Sequence, residues 1–126
     1  MKNIEKIDIF NFDLELGKHK PYIGLSYQIF GQPLGSSPII VINHALTGNS
    51  NIAGKDGWWD AIVGEDKSID TNYFTIIAFN IPGNGYDNDE TNLIDSYRDY
   101  TIRDIARIFW EGLFFLKVEN IHAVIG

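Results

Sequence analysis

Apolar residues recur along this chain in three rhythms, and each predicts a different kind of element. Residues 7–16 alternate, with Ile7, Ile9, Asn11 and Asp13 on one side and Phe10, Phe12, Leu14 and Leu16 on the other. A period of two marks a strand whose faces differ in polarity. Gly17, Lys18, His19, Lys20 and Pro21 interrupt it, and it resumes over 22–30 with Tyr22, Ile23, Leu25, Tyr27 and Ile29. The natural partner of the first strand is the second, so an antiparallel hairpin is predicted over 7–30. Residues 39–42 (IIVI) and 73–79 (YFTIIAF) are instead almost wholly apolar. Such runs suit strands covered on both faces, as in a parallel sheet.

The third rhythm is helical. Ile102, Ile105, Phe109, Leu113 and Leu116 recur at spacings of three and four, which predicts a helix whose sheet-facing stripe they form. Thr101 and Asp104 have the spacing of a capping box, and Tyr100 with Ile105 that of a hydrophobic staple. Trp110, Phe114 and Phe115 widen the apolar arc beyond one stripe, which implies a second contact for this helix. Val118, Glu119 and Asn120 end it, and residues 121–125 (IHAVI) read as a third parallel strand. A shorter stretch, residues 56–64 (DGWWDAIVG), predicts one or two helical turns with Trp58 and Trp59 roofing the core or locking a loop, and 69–72 reads as turn material. The series is a hairpin feeding a βαβαβ core over 37–126, a mixed sheet that is antiparallel at its edge and parallel within.

The strand at 39–42 opens into Asn43, His44, Ala45, Leu46, Thr47 and Gly48, and that at 73–79 into Asn80, Ile81, Pro82, Gly83, Asn84 and Gly85. Loops leaving the carboxyl ends of parallel strands are where open α/β sheets place binding and catalytic groups. Two such neighbours predict two sides of one cleft.

Composition narrows the function classes. The chain has 126 residues, enough for one domain with a real core, and 44% of them are hydrophobic, which argues against disorder. Ten Lys and Arg against seventeen Asp and Glu give a formal charge of -7, which repels a nucleic-acid backbone, and no basic cluster offsets it. With no cysteine, disulfides, Cys-based metal sites and a cysteine nucleophile are excluded. No apolar run approaches a membrane span and the amino terminus lacks the apolar core of a signal peptide, so a cytoplasmic location is expected. Asp87, Asp89, Glu90 and Asp95 lack the spacing of a calcium loop and read as a solvated loop, so no metal is expected.

Residues 43–50 (NHALTGNS), Gly57 with Trp58, Trp59 and Asp60, residues 67–71 (KSIDT), Asn80, the TIRD run at 101–104 and AVIG at 123–126 together resemble the amino-terminal part of the homoserine O-acetyltransferases of the α/β-hydrolase superfamily. The resemblance spans nearly the whole chain and is most specific over 43–71 and 101–126. It implies that residues 1–126 are an incomplete α/β-hydrolase domain, ending just before a G-G-S-M-G nucleophile elbow whose serine falls two positions past Gly126.

The implied activity is acetyl transfer from acetyl-CoA to the hydroxyl of L-homoserine, in methionine biosynthesis, through an acyl-serine intermediate. Acetyl-CoA is then the acyl-donor substrate, no bound cofactor is expected, and the partners are small molecules, with a homodimer of the intact protein left open. The triad Asp and His come later in the family's chain, so these 126 residues are expected to be inactive alone. The backbone N–H of Leu46 matches the family's oxyanion-hole donor, and His44, in the same HALTG run, is a loop-positioning residue by that match. One departure stands out: where the family often has a Gly-Gly-Cys-x-Gly-Ser-Thr-Gly run, this chain reads IPGNGYDN over 81–88. Succinyl transfer, another hydroxylated acceptor and hydrolysis therefore stay open, as does a non-catalytic α/β binding module completed by a partner chain.

Overall fold

In the computed structural model, which describes residues 3–126, five strands form one mixed sheet. In chain order the elements are β1 (Glu5–Asp13), β2 (His19–Gly31), β3 (Ile39–Ile42), the two-residue β4 (Val63–Gly64) and β5 (Ile69–Asp70), β6 (Thr75–Phe79), α1 (Ile102–Phe115) and β7 (Ala123–Ile125). The sheet order is β1-β2-β6-β3-β7. β1, β2 and β6 run antiparallel in turn, while β6, β3 and β7 are parallel. Antiparallel amino-terminal strands on a parallel core are what the hydrophobic rhythms predict.

The uninterrupted runs are explained by two separate cores. Ile39 and Val41 of β3 and Ile77 and Phe79 of β6 face α1, where Ile7, Leu25, Tyr27, Ile108 and Leu113 complete a buried cluster. Their neighbours Ile40, Ile42, Ile76 and Ala78 face the opposite side, packed with Ile52, Val63 and Ile69 of the β3–β6 crossover. A strand with a core on each face has no polar positions to alternate with.

The structure departs from the expected pattern in four places. In β1 the buried residues are Ile7, Ile9 and Phe12, followed by Leu14 just past its end, so the inward face changes phase between Ile9 and Phe12. The switch lies at Asn11, whose φ of 56 is left-handed, a conformation asparagine tolerates better than most residues. Phe10 and Leu16, expected with Phe12 and Leu14, point outward instead.

Of the helical turns expected over 56–64 only a single turn forms, closed by the Ile62 and Val63 amides donating to the Trp59 carbonyl at 2.9 and 3.0 Å. The Trp58 and Trp59 amides donate to Asn51 and Ile52 carbonyls at 3.1 and 2.9 Å, bonds that replace the first rungs of a helical ladder. Ile69 and Asp70, read as turn material, instead pair with Val63 and Gly64.

The α1 stripe is also rotated. Ile102 is 79% exposed, and the buried residues are Asp104, Ile108, Gly112 and Leu113, with Phe109 and Leu116 packed partly against the core. Gly112 sets this rotation: a Cβ there would lie 2.7 Å from both Leu25 Cδ2 and Phe79 Cε1. Only a residue without a side chain lets the helix approach the sheet so closely. The Thr101 and Asp104 capping box forms as expected, with each side chain accepting from the other's backbone amide. Trp110, Phe114 and Phe115 remain exposed.

Candidate functional site

The parallel strands deliver their loops to one edge of the sheet. The Asn43 amide donates to the Ile125 carbonyl at 2.8 Å, so the loop after β3 starts beside the end of β7. Gly126 lies against it, since a Cβ added there would sit 3.3 Å from that of Asn43. A turn follows in which the Gly48 amide donates to the Ala45 carbonyl at 2.8 Å, leaving Leu46 and Thr47 at its tip. Leu46 therefore lies at the carboxyl edge of β3, β6 and β7. Its residue is 91% exposed, and among the described residues its amide makes no hydrogen bond.

His44 is buried beneath this turn. The Ile81 amide donates to its Nε2 at 3.0 Å, and its Nδ1 lies 2.6 Å from the Ala45 carbonyl oxygen. An amide can only donate and a carbonyl can only accept, so the imidazole is neutral with its proton on Nδ1. Both ring nitrogens are engaged, which leaves neither to take a proton from a nucleophile in this arrangement.

Below the turn sits a polar cluster that sequence reasoning did not assemble. Asn80, at the end of β6, accepts at Oδ1 from the Ser50 amide (2.8 Å) and from Asn84 Nδ2 (3.1 Å). Its Nδ2 donates to the hydroxyl oxygens of Ser26 and Ser50, each at 2.9 Å. Ser50 in turn donates to Gln28 Oε1 at 2.6 Å. Ser26, Gln28, Ser50 and Asn80 are all buried. A buried polar group is tolerated when its hydrogen bonds are made, and this set joins β2 to both cleft loops. The sequence signal was a lone polar residue closing an apolar run, which does not reveal its partners.

The tryptophans secure the loop's far side. Trp58 and Trp59 stack with ring centroids 5.5 Å apart, Trp59 packs against the second core, and Trp58 Nε1 donates to the Asn49 carbonyl at 2.8 Å. In the acidic loop, Asp87 and Asp89 accept hydrogen bonds from Asn92, and Asp89 also from Thr91. Thr91 and the Lys6 ammonium hold the Asp89 carboxyl below its usual range. Among the described residues no three His, Asp or Glu side chains converge to hold a metal ion, and no helix is long and apolar enough to cross a membrane. A groove of about 620 Å³ lined by Phe10, Phe114, Phe115 and Val118 lies between β1 and the end of α1, away from these loops.

Comparison with known proteins agrees with this geometry. Residues 38–126 match the family described as alpha/beta hydrolase fold. The chain is 31% identical over 145 residues to a homoserine O-acetyltransferase of Natronomonas pharaonis, covering 100% of this chain and 36% of that protein. It is 34% identical over 131 residues to one of Symbiobacterium thermophilum, covering 90% of this chain and 34% of that one. The chain thus spans about a third of the length of the curated relatives it matches. Among solved structures, the homoserine O-acetyltransferase from Bacillus anthracis superposes with a TM-score of 0.81 at 25% identity, covering 97% of this chain and 39% of that one. Esterase E22 does so with a TM-score of 0.82 at 25% identity, covering 100% and 40%.

Proposed function

Because the chain belongs to the α/β-hydrolase fold family, we propose that it forms the amino-terminal part of a serine acyltransferase that moves an acetyl group from acetyl-CoA to the hydroxyl of L-homoserine, in methionine biosynthesis in the cytoplasm. What supports this reading above all is that similarity to homoserine O-acetyltransferases runs through nearly the whole chain, including the loop that carries Leu46. In such a reaction a serine oxygen attacks the acetyl carbonyl, the carbonyl oxygen gains negative charge, and the CoA thiol leaves. The homoserine hydroxyl then attacks the acetyl-serine and regenerates the serine. The part assigned to this chain is the Leu46 N–H, which donates to the developing oxyanion in both steps, while the nucleophile, Asp and His belong to the segment that relatives carry beyond the matched third.

Hydrolysis is the second reading, favoured by the likeness to esterase E22 and by the IPGNGYDN loop at 81–88. There water replaces homoserine as the acceptor. The test is the full-length gene product with acetyl-CoA, with and without L-homoserine, following free CoA and O-acetylhomoserine. Homoserine-dependent release of CoA matched by acetylhomoserine is the expected result. CoA release or nitrophenyl acetate cleavage indifferent to homoserine establishes the esterase instead, and no turnover of either kind overturns both.

A further inference from the structure

We propose that the free edge of β1, with the groove beside it, docks an extended protein segment in which aliphatic residues alternate with lysine or arginine. Among the described residues β1 pairs only with β2. Alternate N–H and C=O groups along its other edge therefore face no strand, and such a row is a template for one more. The flat part of that edge ends at Asn11, whose left-handed backbone shifts the pleat, leaving residues 5–10, about 20 Å of strand.

The end of α1 overhangs this edge. Phe114 and Phe115, 77% and 60% exposed, and Val118 wall a groove of about 620 Å³ that β1 closes on the other side. Ile7 and Ile9 pack toward α1, so Asp8 and Phe10 point to the opposite face, where Tyr22 meets both. A strand laid along β1 carries every second side chain against the aromatic wall, which selects aliphatic residues there. Its other side chains stand beside Asp8 and the exposed ring of Phe10.

Charge supplies the other half of the pattern. Three of the four ionisable side chains lining the groove, Asp8, Glu111 and Glu119, are acidic, against Lys117. Asp8 has to share Lys6 with Asp89, at 4.0 and 3.5 Å, and among the described residues Glu111 and Glu119 form no ion pair. Uncompensated negative charge around an apolar wall suits cationic residues whose carbon stems lie on Phe10. The groove is away from the cleft loops, so this docking is independent of the acyl transfer proposed above.

The probe is a blocked hexapeptide of alternating valine and lysine, titrated calorimetrically into the full-length gene product. Two controls accompany it: the valine and glutamate counterpart, and the valine and lysine peptide N-methylated throughout, which keeps every charge and side chain but has no N–H to donate. Binding of the first alone is expected, with slowed amide exchange across residues 5–10. Phe115→Ala should weaken it about fivefold or more, and Glu111→Lys with Glu119→Lys about three- to tenfold. All three positions are exposed, so the variants fold, and an unchanged Tm checks this. Equal binding of the N-methylated peptide, or an affinity indifferent to the variants, reduces the surface to charge attraction and overturns the proposal. Failure of the wild type to bind the valine and lysine peptide, as when another part of the gene product fills the groove, overturns it too.

Discussion

The backbone amide of Ser50 donates to the side-chain oxygen of Asn80 across 2.8 Å, so a residue in the loop after β3 is held by the last polar group of the β6 run. The bond is buried, and Asn80 also reaches Ser26 on β2. Three segments distant in sequence meet on one carboxamide, which makes Asn80 the joint between the hairpin and both cleft loops.

Asn80→Ala should therefore destabilise the fold by about 3 kcal/mol, because it leaves the buried Ser50 amide without an acceptor. The expected readout is a lower denaturant midpoint at an unchanged m-value. A midpoint like that of wild type would mean that water or a rearranged Gln28 replaces the carboxamide.

Gly112→Ala should cost about 1 to 2 kcal/mol, although alanine is the better helix former. The added methyl meets Leu25 and Phe79 at 2.7 Å, and overpacking of that kind costs about 1 to 3 kcal/mol against a propensity gain of up to about 1. Phe79 cannot easily yield, since its ring is stacked 5.1 Å from that of Phe109. Thermal unfolding of the variant measures the balance, and a raised Tm would show that the helix shifts outward freely.

The pH dependence of stability should show Asp104. Burial favours its neutral acid, but the Thr101 and Glu15 amides, the Thr101 side chain and the Arg107 guanidinium outweigh that and hold its pKa below the ordinary 3.8. A folded-state pKa below the unfolded one stabilises the native state above about pH 4, and that contribution is lost as pH falls through 3.8 toward the folded value. Asp104→Asn should be less stable than wild type at pH 7, with the difference shrinking as the acid limb is crossed. Asp89 is also lowered and is common to both proteins, while Glu15, which the Asp104 charge pushes up, falls further in the variant, so the difference between the two curves reports Asp104 together with its effect on Glu15. Parallel curves from pH 7 to pH 2 would refute the assignment.

Leu46 should respond to loss of its amide and hardly to loss of its side chain. In the full-length gene product Leu46→Ala should change kcat by less than about threefold, because the exposed side chain packs against little. Leu46→Pro removes the N–H and should lower kcat about a hundred- to a thousand-fold. Equal effects of the two would show that the side chain, not the amide, serves the site.

Residues 1–126 alone should release no CoA from acetyl-CoA. Within them the Ser50 hydroxyl is buried in the Asn80 cluster and both nitrogens of His44 are occupied, so they do not form a serine and base pair. Turnover by this piece that disappears on mutating Ser50 would contradict the arrangement.

Much of this structure was legible in local pattern. The runs over 39–42 and 73–79 announced strands buried on both faces, because a strand with a core on each side cannot afford polar positions; the second begins only at Thr75, with Tyr73 exposed before it. The capping box at Thr101 and Asp104 was readable because its partners are three residues apart. The opening of an apolar run into HALTG places Leu46 in a loop at the carboxyl end of β3, because a buried run that stops at small and polar residues marks where its strand leaves the sheet. These are properties of short segments, and short segments carry them whole.

What only the tertiary structure decided depends on backbone turns and packing partners that no periodicity contains. The separation of Phe10, outside, from Phe12 and Leu14, inside, follows from one left-handed residue at Asn11, which switches a phase that period two alone would continue. The rotation of α1 follows from Gly112 meeting Leu25 and Phe79, a contact that no helical periodicity contains. The Trp58 and Trp59 amides take their partners from Asn51 and Ile52, so the stretch over 56–64 closes only a single turn at Trp59 and does not continue as a helix. The Asn80 cluster joins residues 26, 28, 50, 80 and 84, and the sense of each as a buried polar residue exists only once the others are beside it. Periodicity marks an element as a strand or a helix with an apolar side; which residues of that side are buried, and which polar groups find partners, is set by the neighbours the fold brings against it.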